Sequence, residues 1–192
     1  MTLLILGIIL FLATHLIRVV APGFRLSMID RFGETGWRVI NSVMSLVSLV
    51  VLIWGYATAP VVNLWFPPMG MNHLTTTLML FAMICLVAGF LPAGHIATKT
   101  KHPIVLSIKI WAAAHLLANG DLASVLLFVA LLAWGVVLRI SYKRRVRAGE
   151  LVLKPFVSAR FDAIAVVGGI VAWAVITMWL HKLLIGVAPL TM

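Results

Sequence analysis

Six apolar runs, each close to the length of an α-helix that crosses a bilayer, constrain this 192-residue chain more than any other feature. They cover residues 3–20, 39–56, 74–91, 104–118, 122–140 and 163–185, and the fourth is the shortest. A helix needs about 20 apolar residues to cross the hydrocarbon. Because 63% of the residues are hydrophobic and only 10% are charged, we predict an all-α, polytopic transmembrane bundle of about six helices.

Positive charge is concentrated in every second connection between the apolar runs. The connections after the first, third and fifth runs carry most of it, as Arg18, Arg25, Arg31, Arg38, Lys99, Lys101, Arg139, Lys143, Arg144, Arg145, Arg147, Lys154 and Arg160. Residues 57–72 carry no charge. Because short cytoplasmic loops keep an excess of lysine and arginine, we predict that both termini lie on the non-cytoplasmic side. Pro22-Gly23 predicts the end of the first helix and a loop that runs to Gly36.

The formal net charge of +10 follows from this orientation. Basic loops are attracted to an anionic membrane leaflet, so membrane lipids are expected partners and nucleic acid is not. Cys85 is the single cysteine, which excludes an intramolecular disulfide, and the chain has no C-x-x-C-H motif for covalent haem attachment. Any haem would therefore be bound non-covalently.

Two histidines, His15 and His115, lie inside the apolar runs. An ionisable group at bilayer depth is costly and usually faces the bundle interior, where it pairs, relays protons or binds a cofactor. His15 shares a helix face with Arg18, and His115 shares one with Trp111 and Asn119. The alanines beside His115 either let helices approach closely or leave a slot for a flat cofactor.

A second polar pair lies on the fourth run. His102 and Lys109 are seven residues apart and share a helical face. Lys109 either extends its ammonium group towards the cytoplasmic headgroups or pairs with a carboxylate, a propionate or a phosphate. The remaining histidines, His73, His95 and His181, lie at the ends of runs, where an imidazole needs no special partner. They are weak candidates.

Four segments of the chain resemble the NnrU family of bacterial membrane proteins. They are Thr14-His15-Leu16-Ile17-Arg18, Gly33-Glu34-Thr35-Gly36-Trp37-Arg38, Lys101-His102-Pro103 and Ile110-Trp111-Ala112-Ala113-Ala114-His115-Leu116-Leu117-Ala118-Asn119-Gly120-Asp121. The resemblance implies a single NnrU-like transmembrane domain over residues 1–192, in the bacterial cytoplasmic (inner) membrane. It also implies a connection with denitrification and nitric oxide reduction.

Plant zeta-carotene isomerases are similar at a greater distance. They are membrane haem b proteins that isomerise a double bond, and this resemblance implies that His15 and His115 are iron ligands. In those enzymes a cysteine three residues before the second histidine is also implicated in ligation, whereas this chain has Ala112 there. Two neutral imidazoles without a thiolate suit electron transfer or ligand sensing better than standing catalysis.

The expected depths of the two histidines leave the ligand pairing open. His15 follows about twelve residues of a helix that descends from outside, and His115 lies about one turn from the outer end of the fourth run. At 1.5 Å per residue their depths differ by roughly 10 to 15 Å. One iron cannot bridge that gap unless the fourth helix starts deeper. Pairing of His15 with His102, and of His73 with His115, are the alternatives.

The sequence therefore supports three functional hypotheses. The first is a membrane protein that binds haem b and serves redox, denitrification, nitric oxide or isoprenoid isomerisation chemistry. Its cofactor-binding residues are His15, His115, His102, Arg18, Lys109, Trp111 and Asn119, with His15 and His115 on the iron. The others are a small proton-coupled transporter lined by His15, Lys109 and His115, and a non-catalytic assembly factor. Expected ligands are a small apolar substrate or nitric oxide; catalytic residues and any partner subunit stay unidentified.

Overall fold

The computed structural model describes residues 1–190, and its regular structure is helical. In chain order the helices are α1 (Thr2–Val20), α2 (Pro22–Ala57), α3 (Met71–Phe90), α4 (His95–Thr100), α5 (Pro103–Ala118), α6 (Leu122–Arg147), α7 (Arg160–Val175) and α8 (His181–Ile185). A π-helical segment, Ile176–Leu180, joins α7 to α8. The all-α fold predicted from the sequence is confirmed.

The helices have the lengths and surfaces of a membrane protein. Within residues 1–190, five helical stretches are long and apolar enough to cross a bilayer: α1, α2, α3, α6 and Arg160–Ile185. Helix α5 is apolar but shorter, with 16 residues, in agreement with the short fourth run. On α2, the side chains of Val47, Val50 and Trp54 are 55%, 56% and 61% exposed. Such a continuous apolar surface fits contact with lipid rather than water.

Helix α2 begins much earlier than the apolar pattern predicts. The prediction of a loop from Pro22 to Gly36 is wrong, because α2 starts at Pro22. The helix is interrupted only at Gly33, which has φ 72° and ψ 167°. Proline suits the first helical position, and the backbone angles at Gly33 are open essentially to glycine alone. The first part of α2 contains Arg25 and Arg31, whose charge hides this helix from a hydropathy pattern.

The described residues divide into two compact units. Unit 1 comprises Met1–Leu64 and Asp121–Ala130, and unit 2 comprises Trp65–Gly120 and the described residues from Leu131 onwards. Helix α6 begins in unit 1 and continues into unit 2. The single domain over residues 1–192 stays a prediction.

In unit 1 the backbones of α1 and α2 lie very close together. A Cβ atom at Gly7 would lie 2.6 Å from the Cα atom of Leu52, and one at Gly55 would lie 2.6 Å from the backbone nitrogen of Leu4. Small residues allow membrane helices to approach in this way. The contact fixes α1, which carries His15, against α2.

In unit 2, helix α3 packs against both α5 and α7. The Thr75 hydroxyl on α3 donates a 3.0 Å hydrogen bond to the carbonyl of Ala114 on α5. The indole N–H of Trp173 on α7 donates a 2.8 Å bond to the carbonyl of Thr76 on α3. These two bonds join the three helices near the end of α5 that carries His115.

Candidate functional site

Three histidines share one local geometry, in which Nδ1 is bonded to a backbone carbonyl. The Nδ1 to oxygen distances are 2.8 Å from His15 to Phe11, 2.9 Å from His115 to Trp111 and 2.7 Å from His181 to Val187. A carbonyl oxygen only accepts, so Nδ1 carries the hydrogen and the lone pair of the neutral ring is on Nε2. Metal-ligating histidines are usually held in the same way, through their other ring nitrogen.

His15 lies on α1 in unit 1 and is held by its own helix. The Phe11 ring stacks on the imidazole, with ring centres 4.0 Å apart and planes at 20°. The Thr14 hydroxyl lies 3.0 Å from Nδ1 and 3.4 Å from the hydroxyl of Ser48 on α2. Arg18 is in the last turn of α1. The structure thus places His15 and Arg18 along α1, as their spacing predicts.

His115 lies near the end of α5 in unit 2, between Trp111 and Asn119. Trp111 supplies the carbonyl that accepts from Nδ1, and its ring centre is 5.2 Å from that of the imidazole. The Asn119 amide donates a 2.8 Å bond to the carbonyl of His115. These hydrogen bonds therefore connect all three residues along one face of α5. They fix the imidazole ring of His115 and lie at the end of α5.

His181, which the sequence ranks as a weak candidate, lies beside His115. The two imidazole centres are 6.4 Å apart and the planes make an angle of 27°. His181 follows the π-helical segment directly, and such segments are frequent at functional sites. One sequence signal points to it: Trp173, Thr177 and His181 repeat the four-residue spacing of an aromatic and two polar residues seen around His115.

A cavity of about 50 Å³ lies between these side chains. Its lining is formed by Thr75, Thr76, Met79, Met83, His115, Trp173, Ile176, Thr177, His181 and Pro189. The lining includes His181 rather than His73, the expected partner in one pairing. A volume of this size accepts a few water-sized molecules and is far below the roughly 300 Å³ of an organic ligand site. The cavity therefore suits a water or a diatomic molecule.

The alanines beside His115 serve helix packing. Ala112 and Ala114 are fully buried, and the carbonyl of Ala114 accepts the hydrogen bond from Thr75. Small side chains at this position let α5 approach α3 closely. Of the two interpretations of these alanines, the structure favours close packing over a slot for a flat cofactor.

The remaining predicted residues lie towards the other end of α5. His102 precedes the helix, and its ring stacks on Tyr142 with centres 4.5 Å apart. Burial lowers the pKa of His102, and the positive charges of Arg139 and Lys101 lower it further. Lys109 packs its aliphatic stem on α6, where a Cβ atom at Gly135 would lie 2.7 Å from the Lys109 Cγ.

The described residues, 1–190, contain no group of three or more histidine, cysteine, aspartate or glutamate side chains placed to hold a metal ion. Haem iron makes a smaller demand, since it needs only one or two axial ligands from the protein. Nδ1-anchored imidazoles at His15 and His115 supply the right donor atom, so the donor chemistry fits haem b, whereas the cavity of about 50 Å³ beside His115 has room for a diatomic ligand and not for the macrocycle. The residues of the proposed pair belong to different units, His15 to unit 1 and His115 to unit 2.

Comparison with known proteins identifies the family. The family described as NnrU protein matches residues 3–189. No curated protein and no solved structure matches the chain. The matched region contains every candidate residue discussed above, and its helices are those of a membrane protein. This chain therefore belongs to the NnrU family.

Proposed function

We propose that this chain is a haem b protein of the bacterial cytoplasmic membrane that serves redox or nitrogen-oxide chemistry and binds its haem through intramembrane histidines, with His15 and His115 as the candidate ligands. The observation that carries the proposal is the shared geometry of the two rings. In each, Nδ1 donates to the carbonyl four residues earlier, which leaves the lone pair on Nε2. Ionisable side chains at bilayer depth usually have a function.

The neighbouring side chains would position the ligands. Phe11 stacks on His15 and restricts rotation of its ring. Asn119 donates to the carbonyl of His115 and fixes the backbone there. Outer-shell groups orient ligands in this way at metal sites. Arg18 and Lys109 are cations suited to pair with the propionate groups. Bound haem b supplies one-electron chemistry and an iron that binds diatomic gases.

Ala112 favours redox or nitrogen-oxide chemistry over isoprenoid isomerisation. The zeta-carotene isomerases carry a cysteine at this position, and a methyl group cannot ligate iron. Ala112 is also fully buried, so its side chain is out of reach of a substrate. Nitric oxide is accordingly the proposed small ligand, and with two histidines on the iron it would bind only after one of them dissociates. The transporter and assembly-factor hypotheses stay predictions.

The direct test is the optical spectrum of the detergent-purified protein, oxidised and dithionite-reduced, with pyridine haemochrome quantitation. We expect about one non-covalent haem b per chain and its loss in both His15→Ala and His115→Ala. His73→Ala is the matched control, because His73 lies outside the cavity beside His115, and it should retain the haem.

A ligand exchange separates iron ligation from a packing role. His15→Met keeps an axial donor, so we expect haem to be retained with a higher reduction potential, as methionine ligation raises it. A merely structural histidine would leave the potential unchanged. A colourless protein after haem-supplemented expression, or equal haem content in all three alanine variants, would refute the proposal.

A further inference from the structure

A second cavity lies at the beginning of α5, at the other end of that helix from the His115 cavity. Its volume is about 270 Å³. It forms where the end of α3, helix α4, the start of α5 and the segment after α6 meet, all within unit 2. No step of the proposed haem function uses it.

Cationic side chains line this cavity without a carboxylate to balance them. The cations are Lys101 and Lys154; His102 and the hydroxyl-bearing Tyr142 are also in the lining, and the described lining contains no aspartate or glutamate. Uncompensated positive charge in a concave, partly apolar site attracts an anion. The cavity therefore has the electrostatics of an anion site.

Lys101 has an unfavourable backbone conformation. Its φ of 64° and ψ of −37° make it the one non-glycine residue of positive φ within residues 1–190. Glycine or asparagine is usual at such a helix end, because a Cβ atom is strained in this conformation. A strained residue at a cavity is a pointer to function: here a lysine occupies a position that backbone energetics would give to glycine.

Lys154 faces the same cavity from the segment after α6. Its Nζ donates to the carbonyls of Gly89 and Leu91, at the end of α3, over 3.3 and 3.4 Å. Both distances exceed the usual value of about 2.9 Å, and an ammonium group has three hydrogens to donate. The two long bonds orient the ammonium group. Its third hydrogen can be donated to a ligand.

The positive charge around His102 favours binding of an anion. Arg139 and Lys101 both lower the pKa of this imidazole, after burial, by their positive charge. Arg139 also has a buried Nη1 atom without a hydrogen-bond partner among the described residues. Arg139 is not among the residues that line the cavity, so its contribution to an anion there is through its charge near His102.

We propose that this cavity binds a phosphate group, held by Lys101 and Lys154, and that the headgroup of an anionic phospholipid supplies it. Apolar side chains, among them Val105 and Leu153, complete the wall and suit the glycerol and the first carbons of a lipid. The volume lies slightly below the roughly 300 to 1,000 Å³ of sites that enclose a whole organic ligand. A headgroup therefore fits better than an entire lipid.

The test is native mass spectrometry of the detergent-purified full chain with phosphatidylglycerol. Zwitterionic phosphatidylcholine is the lipid control, and inorganic phosphate is the competitor. We expect preferential retention of phosphatidylglycerol and about a tenfold rise in its apparent Kd in each of Lys101→Gly and Lys154→Met, because each removes one charge-assisted hydrogen bond.

Matched variants exclude non-specific effects of charge and folding. Lys99→Ala and Lys143→Ala remove the same charge from exposed side chains outside the cavity lining, and they should bind phosphatidylglycerol as the wild type does. Lys101→Gly should keep or raise the melting temperature, since glycine accepts the positive φ. A loss of binding in this variant would thus not be a loss of folding.

Each outcome is decisive for the lipid proposal. Phosphatidylglycerol that inorganic phosphate does not displace supports the lipid as the source, whereas displacement at equal concentration supports free phosphate bound by the same side chains. Equal binding of both lipids, or an unchanged Kd in both Lys101→Gly and Lys154→Met, would overturn the proposal. The haem content of the same samples reports separately on the proposed function.

Discussion

At the scale of single residues, His102 makes the stability of the protein depend on pH. Burial and the positive charges of Arg139 and Lys101 hold its pKa below the ordinary value of 6.5, so the unfolded chain takes up the proton first as the pH falls. Stability is therefore complete above pH 6.5 and is lost as the pH falls towards the lowered pKa. We expect the melting temperature in detergent to decrease over this interval, and to decrease less in His102→Gln.

The aromatic and charged neighbours of the His102 ring do not titrate in the same pH range. Tyr142 stacks on His102, and the guanidinium of Arg145 lies 6.0 Å from the Tyr142 ring centre. Neither tyrosine nor arginine changes charge near neutral pH, so the slope difference between wild type and His102→Gln belongs to the histidine. Equal slopes in the two proteins would contradict the assignment.

The sequence selects candidate residues more readily than it identifies their neighbours. Burial cost alone selects His15 and His115, and the four-residue spacing correctly predicts that Trp111 and Asn119 lie beside His115. The neighbour His181 is missed because a histidine at a span end needs no partner in a one-dimensional argument. Its contact with His115 depends on how α3, α5 and α7 pack, which no spacing along the chain contains.

At the scale of helices, the α1–α2 contact depends on two glycines. A Cβ atom at Gly7 would lie 2.6 Å from backbone Cα of Leu52, and backbone cannot move aside as a flexible side chain can. We expect Gly7→Ala to lower the free energy of unfolding by about 1–3 kcal/mol, the usual effect of overpacking. Denaturant titration of the purified protein measures the change.

Gly23→Ala is the matched control for this contact. Gly23 lies in the first turn of α2, where an added Cβ meets nothing within 4 Å, and alanine favours the helix. Its free energy of unfolding should be unchanged or higher. A loss of stability equal to that of Gly7→Ala would show that helix propensity, rather than close approach, decides the effect.

Helix boundaries are predictable where apolar runs define them and not elsewhere. The run 74–91 and helix α3 (Met71–Phe90) nearly coincide, because both report the hydrocarbon-spanning segment. The beginning of α2 and the short helix α4 are missed, since both contain charged or polar residues. In α4 the first amides, of His95 and Ile96, donate to the carboxylate of Asp162, a contact that no local pattern contains. Within the α2 segment, Gly33 marks the interruption of the helix, where the backbone has a positive φ. A glycine at such a position is visible in the sequence.

At the scale of the whole molecule, the basic side chains of unit 2 gather at one end of its helices. Contacts define that end: Lys154 bonds to Gly89 in the last turn of α3, and His102 before α5 stacks on Tyr142 of α6. The phosphate cavity lies there, and lysine and arginine are concentrated on cytoplasmic sides of membranes. We therefore predict that this end of unit 2 faces the cytoplasm.

The orientation predicts opposite accessibility of two lysine positions. With Cys85 replaced by serine, a cysteine in place of Lys182, on α8 near the C-terminus, should react with a membrane-impermeant maleimide in intact cells. A cysteine in place of Lys143, on the basic end of α6, should react only after permeabilisation. Both lysines are exposed, so a difference in burial cannot explain a difference in reactivity. The reverse pattern would show that the basic end faces outwards, and the anionic lipid site would then lie in the outer leaflet.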